Sequence, residues 1–134
     1  MKKFEQILLS AKTIAVVGLS RDPEKDSHSV ARYLQEKGYK IIPVNPSGGE
    51  LLGEKVYTSL SEIKVPVDIV DVFRPSEECA EIAKQAVKLH PKLVWLQLGI
   101  ISQKAGEICE KAGISFVENK CMRTEHRRLT GTGF

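Results

Sequence analysis

"IAVVGLSRDPEKDSHSV", residues 14–30, is the stretch that decides the fold. Ile14, Ala15, Val16 and Val17 form a short apolar run, rich in β-branched side chains, that reads as a buried strand. Gly18 ends it, a charged loop follows, and helical spacing sets in at about Ser29. A strand leaving through glycine into a loop and then a helix is the opening unit of a parallel α/β sheet. Between Gly18 and the helix the loop contains no second glycine. What the strand tip holds is therefore an open question at this point.

Working outward, strand and helix patterns alternate. Residues 1–11 read as an amphipathic N-terminal helix, and the helix after the first strand closes at Gly38. "KIIPVN" is a second strand whose Pro43 marks either an edge or a late-strand kink. "GGELLGEKVYTSL" reads as a short hairpin or extended excursion and "SLSEI" as one helical turn. "VDIVDVF" is the third strand, with Ser76 as N-cap of a helix whose buried stripe is Cys79, Ile82, Ala83, Ala86 and Val87. "LVWLQLGI" is the fourth. A helix capped by Ser102 and closed by Gly113 then turns Ala105, Ile108, Cys109 and Ala112 inward. "SFVEN" is the fifth strand, and residues 120–134 read as an irregular basic tail. Strands one, three and four are nearly continuous apolar runs, as in strands covered on both faces. The expected fold is a single α/β domain over residues 1–134, a doubly wound, mostly parallel five-stranded sheet with helices on both faces.

The chain has 134 residues, 42% apolar and 28% charged, which is a globular composition. No apolar run approaches the ~20 residues of a bilayer span. Glu5 and Gln6 break the opening segment as a signal peptide, so the expected location is cytoplasmic, with no membrane partner. A net charge of +3 and a pI near 8.8 come from dispersed residues and favour an anionic small ligand; no nucleic-acid motif accompanies them. Three cysteines at unpaired spacings indicate neither a disulfide framework nor a zinc site, and no metal is expected.

In a doubly wound sheet ligands bind outside the carboxyl ends of the strands. Those ends carry Gly18, Leu19, Ser20 and Arg21, then Asn45 and Pro46, then Arg74 and Pro75, then Gln97, Leu98 and Gly99, and finally Asn119 to Cys121. Arginines and hydroxyls suit phosphate oxygens. A dinucleotide fingerprint lacks two of its glycines here, and Asn45 stands where an acidic residue would bind ribose. A P-loop is likewise missing, because Pro23 takes its second glycine position.

The segments "VVGLS", "GYKIIPVNP", "GEKVYTSLSEI", "VDIVDVFRP", "VWLQLGI" and "NKCMRTEH", in this order and spacing, resemble the stand-alone coenzyme A-binding domain proteins of bacteria and archaea. That family is related to the CoA-binding domain of the succinyl-CoA synthetase alpha subunit. The resemblance implies a Rossmann-like domain that binds CoA or an acyl-CoA without catalysis of its own. It places Gly18, Leu19 and Ser20 at the diphosphate, Val44, Asn45 and Pro46 along the adenosine, and Arg74, Pro75, Leu98 and Gly99 at strand exits facing the ligand. The synthetase has a glycine-rich first loop where this chain has "RDPEKD". CoA carries a diphosphate and a 3′-phosphate, and Arg21, Lys25, Ser27, Ser29 and Arg74 supply donors for them. Ser20 with the loop amides is expected at the diphosphate, and one of Arg21, Lys25 or Arg74 at the 3′-phosphate. A protein partner or homo-oligomer is compatible with such a module.

Gln97 reads either as a ligand-facing residue or as a core amide. His28 is expected in solvent, His90 at a helix end, and His126 in the basic tail. Cys79 and Cys109 fall on buried helix stripes and read as inert. Cys121 follows strand five between Lys120 and Arg123, cations that activate a thiol. It carries the alternative function, a thiol-disulfide or CoA-transfer enzyme component in which Cys121 exchanges with the CoA thiol.

Overall fold

The chain begins with helix α1 (Lys3–Ser10), strand β1 (Thr13–Val17), helix α2 (Asp26–Glu36) and strand β2 (Lys40–Val44). A small hairpin follows, β3 (Glu50–Leu51) with β4 (Glu54–Lys55), and then a 3₁₀ turn at Leu60–Glu62. Next come β5 (Ile69–Val72), a second 3₁₀ turn at Ser76–Glu78, α3 (Cys79–Val87), β6 (Leu93–Leu96), α4 (Gln103–Lys111), β7 (Ser115–Val117) and α5 (Met122–Thr130). These assignments come from a computed structural model that describes residues 1–131.

Five strands form one parallel sheet in the order β2-β1-β5-β6-β7. The chain winds from β1 out to β2, then returns to β5 on the other side of β1. The order therefore reverses between β1 and β5, which opens a crevice at their carboxyl ends. Alternation along β1 splits the core in two. Ile14 and Val16 join Leu8, Leu34 and Met122 under α1, α2 and α5, whereas Ala15 and Val17 join Cys79, Ala83 and Cys109 under α3 and α4. The doubly wound, Rossmann-like sheet read from the sequence is the observed one.

Pro43 lies in edge strand β2 opposite Val16. Its carbonyl accepts from Tyr57 N on the outer side, so its nitrogen also faces away from β1 and no ladder bond is lost. Ser102 caps α4 by accepting from Ala105 N at 3.1 Å, as the sequence indicates.

Four expectations are corrected. Residues 122–130 of the supposedly irregular tail form α5, because Met122, His126 and Leu129 recur at one-turn spacing and dock on the core. Met122 is fully buried, a burial that stabilises by roughly 1.5–3 kcal/mol. His126 occupies an apolar slot, with Nδ1 2.7 Å from the Tyr33 hydroxyl, and Arg128 pairs with Glu5 of α1. Residues 132–134 of that expectation lie outside the described residues. Ser76 does not cap α3; it starts the 3₁₀ turn, and its hydroxyl accepts from Ile101 N at 3.0 Å. Ala112 ends α4 in solvent instead of on the core. His28 is buried, its Nδ1 donating to Ser20 O at 2.7 Å.

Candidate functional site

The exits of β1, β2 and β5 surround a cavity of about 500 Å³ on the α3 face of the sheet. Gly18, Ser20 and Arg21 come to it from β1, Val44, Asn45 and Pro46 from β2, and Arg74 from β5. Thr58, Ser59 and Leu60 close one side, and Glu78, Ile82 and Gln85 another. A larger groove of about 680 Å³ runs between α4 and β7. It lies at the far edge of the sheet, and its Glu107, Glu110 and Glu118 would repel an anion, so the chemistry points to the crevice.

Gly18 answers the question raised by its loop. Its φ of +86° suits glycine, and a Cβ there would sit 2.8 Å from Phe73 O and 2.9 Å from Arg74 Cδ. The bare backbone lets the Arg74 stem cross the tip of β1. What the strand end holds is an arginine from its neighbour.

The loop after Gly18 is fastened to its surroundings. Ser20 N donates to Ser27 Oγ at 2.9 Å, and Ser20 Oγ accepts from Asp22 N at 3.0 Å. The Ser20 amide is thus already engaged, which leaves its hydroxyl as the group it can offer to a ligand. Leu19 turns its side chain into the core, and only its carbonyl, accepting from Asn45 Nδ2 at 2.9 Å, belongs to the site. Arg21 spans to the hairpin, donating to Ser47 Oγ at 3.3 Å, to Glu50 O at 3.1 Å and to Gly48 O. Arg74 is held differently. Its Nε and Nη2 donate to the two oxygens of Glu78 at 3.0 and 2.8 Å, with 46% and 45% of the two side chains exposed. This pair holds the Glu78 carboxyl below its ordinary range, so it stays ionised at neutral pH.

The other candidates scatter. Lys25 is exposed at the N-cap of α2 and lines no wall of the cavity; Ser27 is buried on Ser20, and Ser29 accepts from Arg123 Nη1 at 3.2 Å. Pro75 stands outside the wall before the 3₁₀ turn, and Gly99 N donates to Asn119 Oδ1 at 2.8 Å. Leu98 lines a second cavity of about 340 Å³ on the opposite, α2 and α5, face, with Val30, Phe73, Gln97, Cys121 and Arg123. Phe73 and Arg74 are consecutive, so the two cavities flank the same strand exit.

Beneath the second cavity Gln97 Nε2 donates to Asp71 Oδ1 at 2.6 Å, and Gln97 Oε1 accepts from Met122 N at 3.2 Å. Gln97 is therefore a core amide that ties β6 to α5. Among the described residues the other Asp71 oxygen has no side-chain partner, and burial pushes this carboxyl up to about 7 despite hydrogen bonds from Gln97 and the Val72 backbone. Burial also raises the Cys79 and Cys109 thiols to about 11, in keeping with inert cysteines. Cys121 is half-buried in the cavity wall, but its neighbouring cations are engaged elsewhere, Arg123 on Ser29 and Lys120 6.0 Å from the Phe4 ring.

Thr58, Ser59, Glu78 and Gln85 escaped the sequence reading because none follows a main-sheet strand. Thr58 and Ser59 reach the crevice through the bridge of Tyr57 to Val44, and Gln85 through the register of α3. The glutamate four residues after Arg74 was the one signal available for Glu78.

The sequence profile of the CoA binding domain matches residues 12–127. The chain belongs to that family. Among its relatives, the uncharacterized protein YneT of Bacillus subtilis is 39% identical over 124 residues, covering 92% of each chain. The chain is also similar to acetate–CoA ligase (ADP-forming) I subunit alpha of Pyrococcus furiosus, 33% identical over 79% of this chain. The match spans 23% of that subunit. A solved structure, that of cell-free ID.343 from Thermus thermophilus, superposes with a TM-score of 0.91 at 44% identity, covering 96% of this chain and 99% of that one. Among the described residues no helix is long and apolar enough to cross a membrane.

Proposed function

We propose that this protein binds coenzyme A or an acyl-CoA in the crevice where the sheet order reverses, and performs no reaction there by itself. The observation that carries the reading is Arg74, an arginine fork that lines the cavity and whose exposed partner is a side chain able to swing away. Ser20 and Ser59 add hydroxyls around it, while the Thr58 hydroxyl is taken by Glu62, and family membership supplies the ligand class. Arg21 is committed to the hairpin and Lys25 stands outside the cavity, so of the three candidate bases Arg74 is the one assigned to a ligand phosphate. The test is thermal unfolding with CoA, acetyl-CoA, dephospho-CoA, NAD and ATP in parallel. A ligand at ~100 times its dissociation constant adds about 2.7 kcal/mol. A shift with CoA species alone supports the reading, and no shift with any of them overturns it.

A second reading rests on Cys121 in the wall of the neighbouring cavity. Its thiolate attacks a sulfur of CoA disulfide, the S–S bond breaks, and one CoA leaves as thiolate while the other stays bonded to Cys121. Incubation with CoA disulfide then adds the mass of one CoA, removed by dithiothreitol and absent in Cys121→Ser. No adduct on the wild-type chain excludes this route.

A further inference from the structure

Glu78 stands in the cavity beside the arginine assigned to phosphate, and its carboxylate already occupies that arginine's fork. We infer that Glu78 is a gate on this site, an internal anion that holds Arg74 over the tip of β1 until a ligand phosphate displaces it. The inference deepens the CoA-binding reading and rests on it for the choice of ligand.

Three observations carry it. The Arg74 stem packs against the bare backbone of Gly18, where any Cβ would meet it. With the stem kept in that contact, the tip of the fork can change partners. Next, the exchange is cheap: both side chains are nearly half exposed, and an i,i+4 ion pair in that setting contributes little stability. A doubly charged phosphate offers the guanidinium the same two-pronged geometry with more charge. Finally, Glu78 begins its swing from the turn Ser76–Glu78, where, among the described residues, its side chain bonds to Arg74 alone. Arg21 lacks this freedom, since its acceptors include two backbone carbonyls that cannot leave.

A gate of this kind has a selectivity consequence. With Arg74 turned toward a ligand, Glu78 still lies at the cavity wall and repels whatever anion enters. A phosphate that engages the fork offsets that repulsion. A singly charged carboxylate of the same size does so less well, so the gate favours phosphorylated ligands over acids.

The test is a double-mutant cycle read by titration calorimetry with CoA and, separately, inorganic pyrophosphate. Glu78→Gln keeps the side-chain size, removes the competing charge, and is expected to tighten binding about tenfold, equal to 1.4 kcal/mol. Arg74→Ala is expected to weaken binding, and in that background Glu78→Gln should gain clearly less than tenfold, because only the repulsion by the carboxylate is then removed and no competition for the fork. Circular dichroism and urea midpoints confirm that each variant folds. Unchanged or weaker binding by Glu78→Gln overturns the gate. An equal gain with and without Arg74 also overturns it, since the carboxylate would then act as a general repulsive charge. If CoA binds no variant, the CoA reading falls while the pyrophosphate cycle still decides the gate.

Discussion

Arg21 and Arg74 line the same cavity, yet their bonding gives them opposite roles. Arg21 ties the loop after β1 to the hairpin through backbone carbonyls and a serine, and removing it would leave Gly48 O and Glu50 O without that donor. Arg74 lies over the β1 tip and is held by one exposed carboxylate. The first builds the wall, and the second is available to a ligand. A cation near a strand exit therefore says little about function until its partners are known, because a guanidinium bound to backbone cannot be lent to phosphate without opening the fold.

The contrast is easiest to break at the residue beneath both. Gly18→Ala adds a Cβ within 2.8 Å of a backbone oxygen at a φ of +86°, so it should destabilise by about 2–4 kcal/mol and push Arg74 aside. A urea midpoint unchanged from wild type would show that Arg74 does not depend on that bare backbone. Asp71 and Gln97 pose the same question of spare and committed groups inside the core, on the scale of a few kcal/mol. The folded protein keeps a proton on Asp71 up to about pH 7, whereas the unfolded chain releases it near 3.8. Between those values the folded state binds more protons, so stability falls as pH rises through the window and levels off above it. Asp71→Asn should flatten this decline in urea titrations from pH 4 to 8, and an undiminished slope would assign the decline to other groups.

Arg21→Ala should cost about 1–2 kcal/mol and speed hydrogen exchange in residues 47–50, a stability effect preceding any effect on affinity. Arg74→Ala should shift stability by no more than about 0.5 kcal/mol while lowering CoA affinity about tenfold. Equal stability losses from the two alanine variants would erase the distinction between them.

Much of the fold was legible because burial on both faces writes itself as continuous apolar runs, as in "IAVV" and "LVWL". Pro43 narrowed its strand to an edge or a kink, and Ser102 announced its cap, through local chemistry that needs no distant partner. The last helix was not legible, since His126 fills a core slot through a hydrogen bond to Tyr33, ninety-three residues away in sequence. Of the candidate site residues, seven line the crevice: Gly18, Ser20, Arg21, Val44, Asn45, Pro46 and Arg74. Strand-exit position found all of them but Val44, which came from the family resemblance. Leu19 and Leu98 follow strands equally well, but pleat alternation and loop direction send one into the core and the other to the opposite face.

By itself, then, the sequence determined a parallel sheet, its strands, and the edge at which a ligand is expected, because periodicity and turn chemistry are local. Only the tertiary structure decided which cations are free. Arg21 meets its acceptors 26 to 29 residues away, and Gly18 makes room for an arginine from a strand that follows another helix and hairpin. Such pairings depend on strand order and register, which bring distant residues together with no mark on either segment. "GLSRDPEKDS" was a loop short of glycines; in the folded chain its one glycine is the saddle over which Arg74 reaches the crevice.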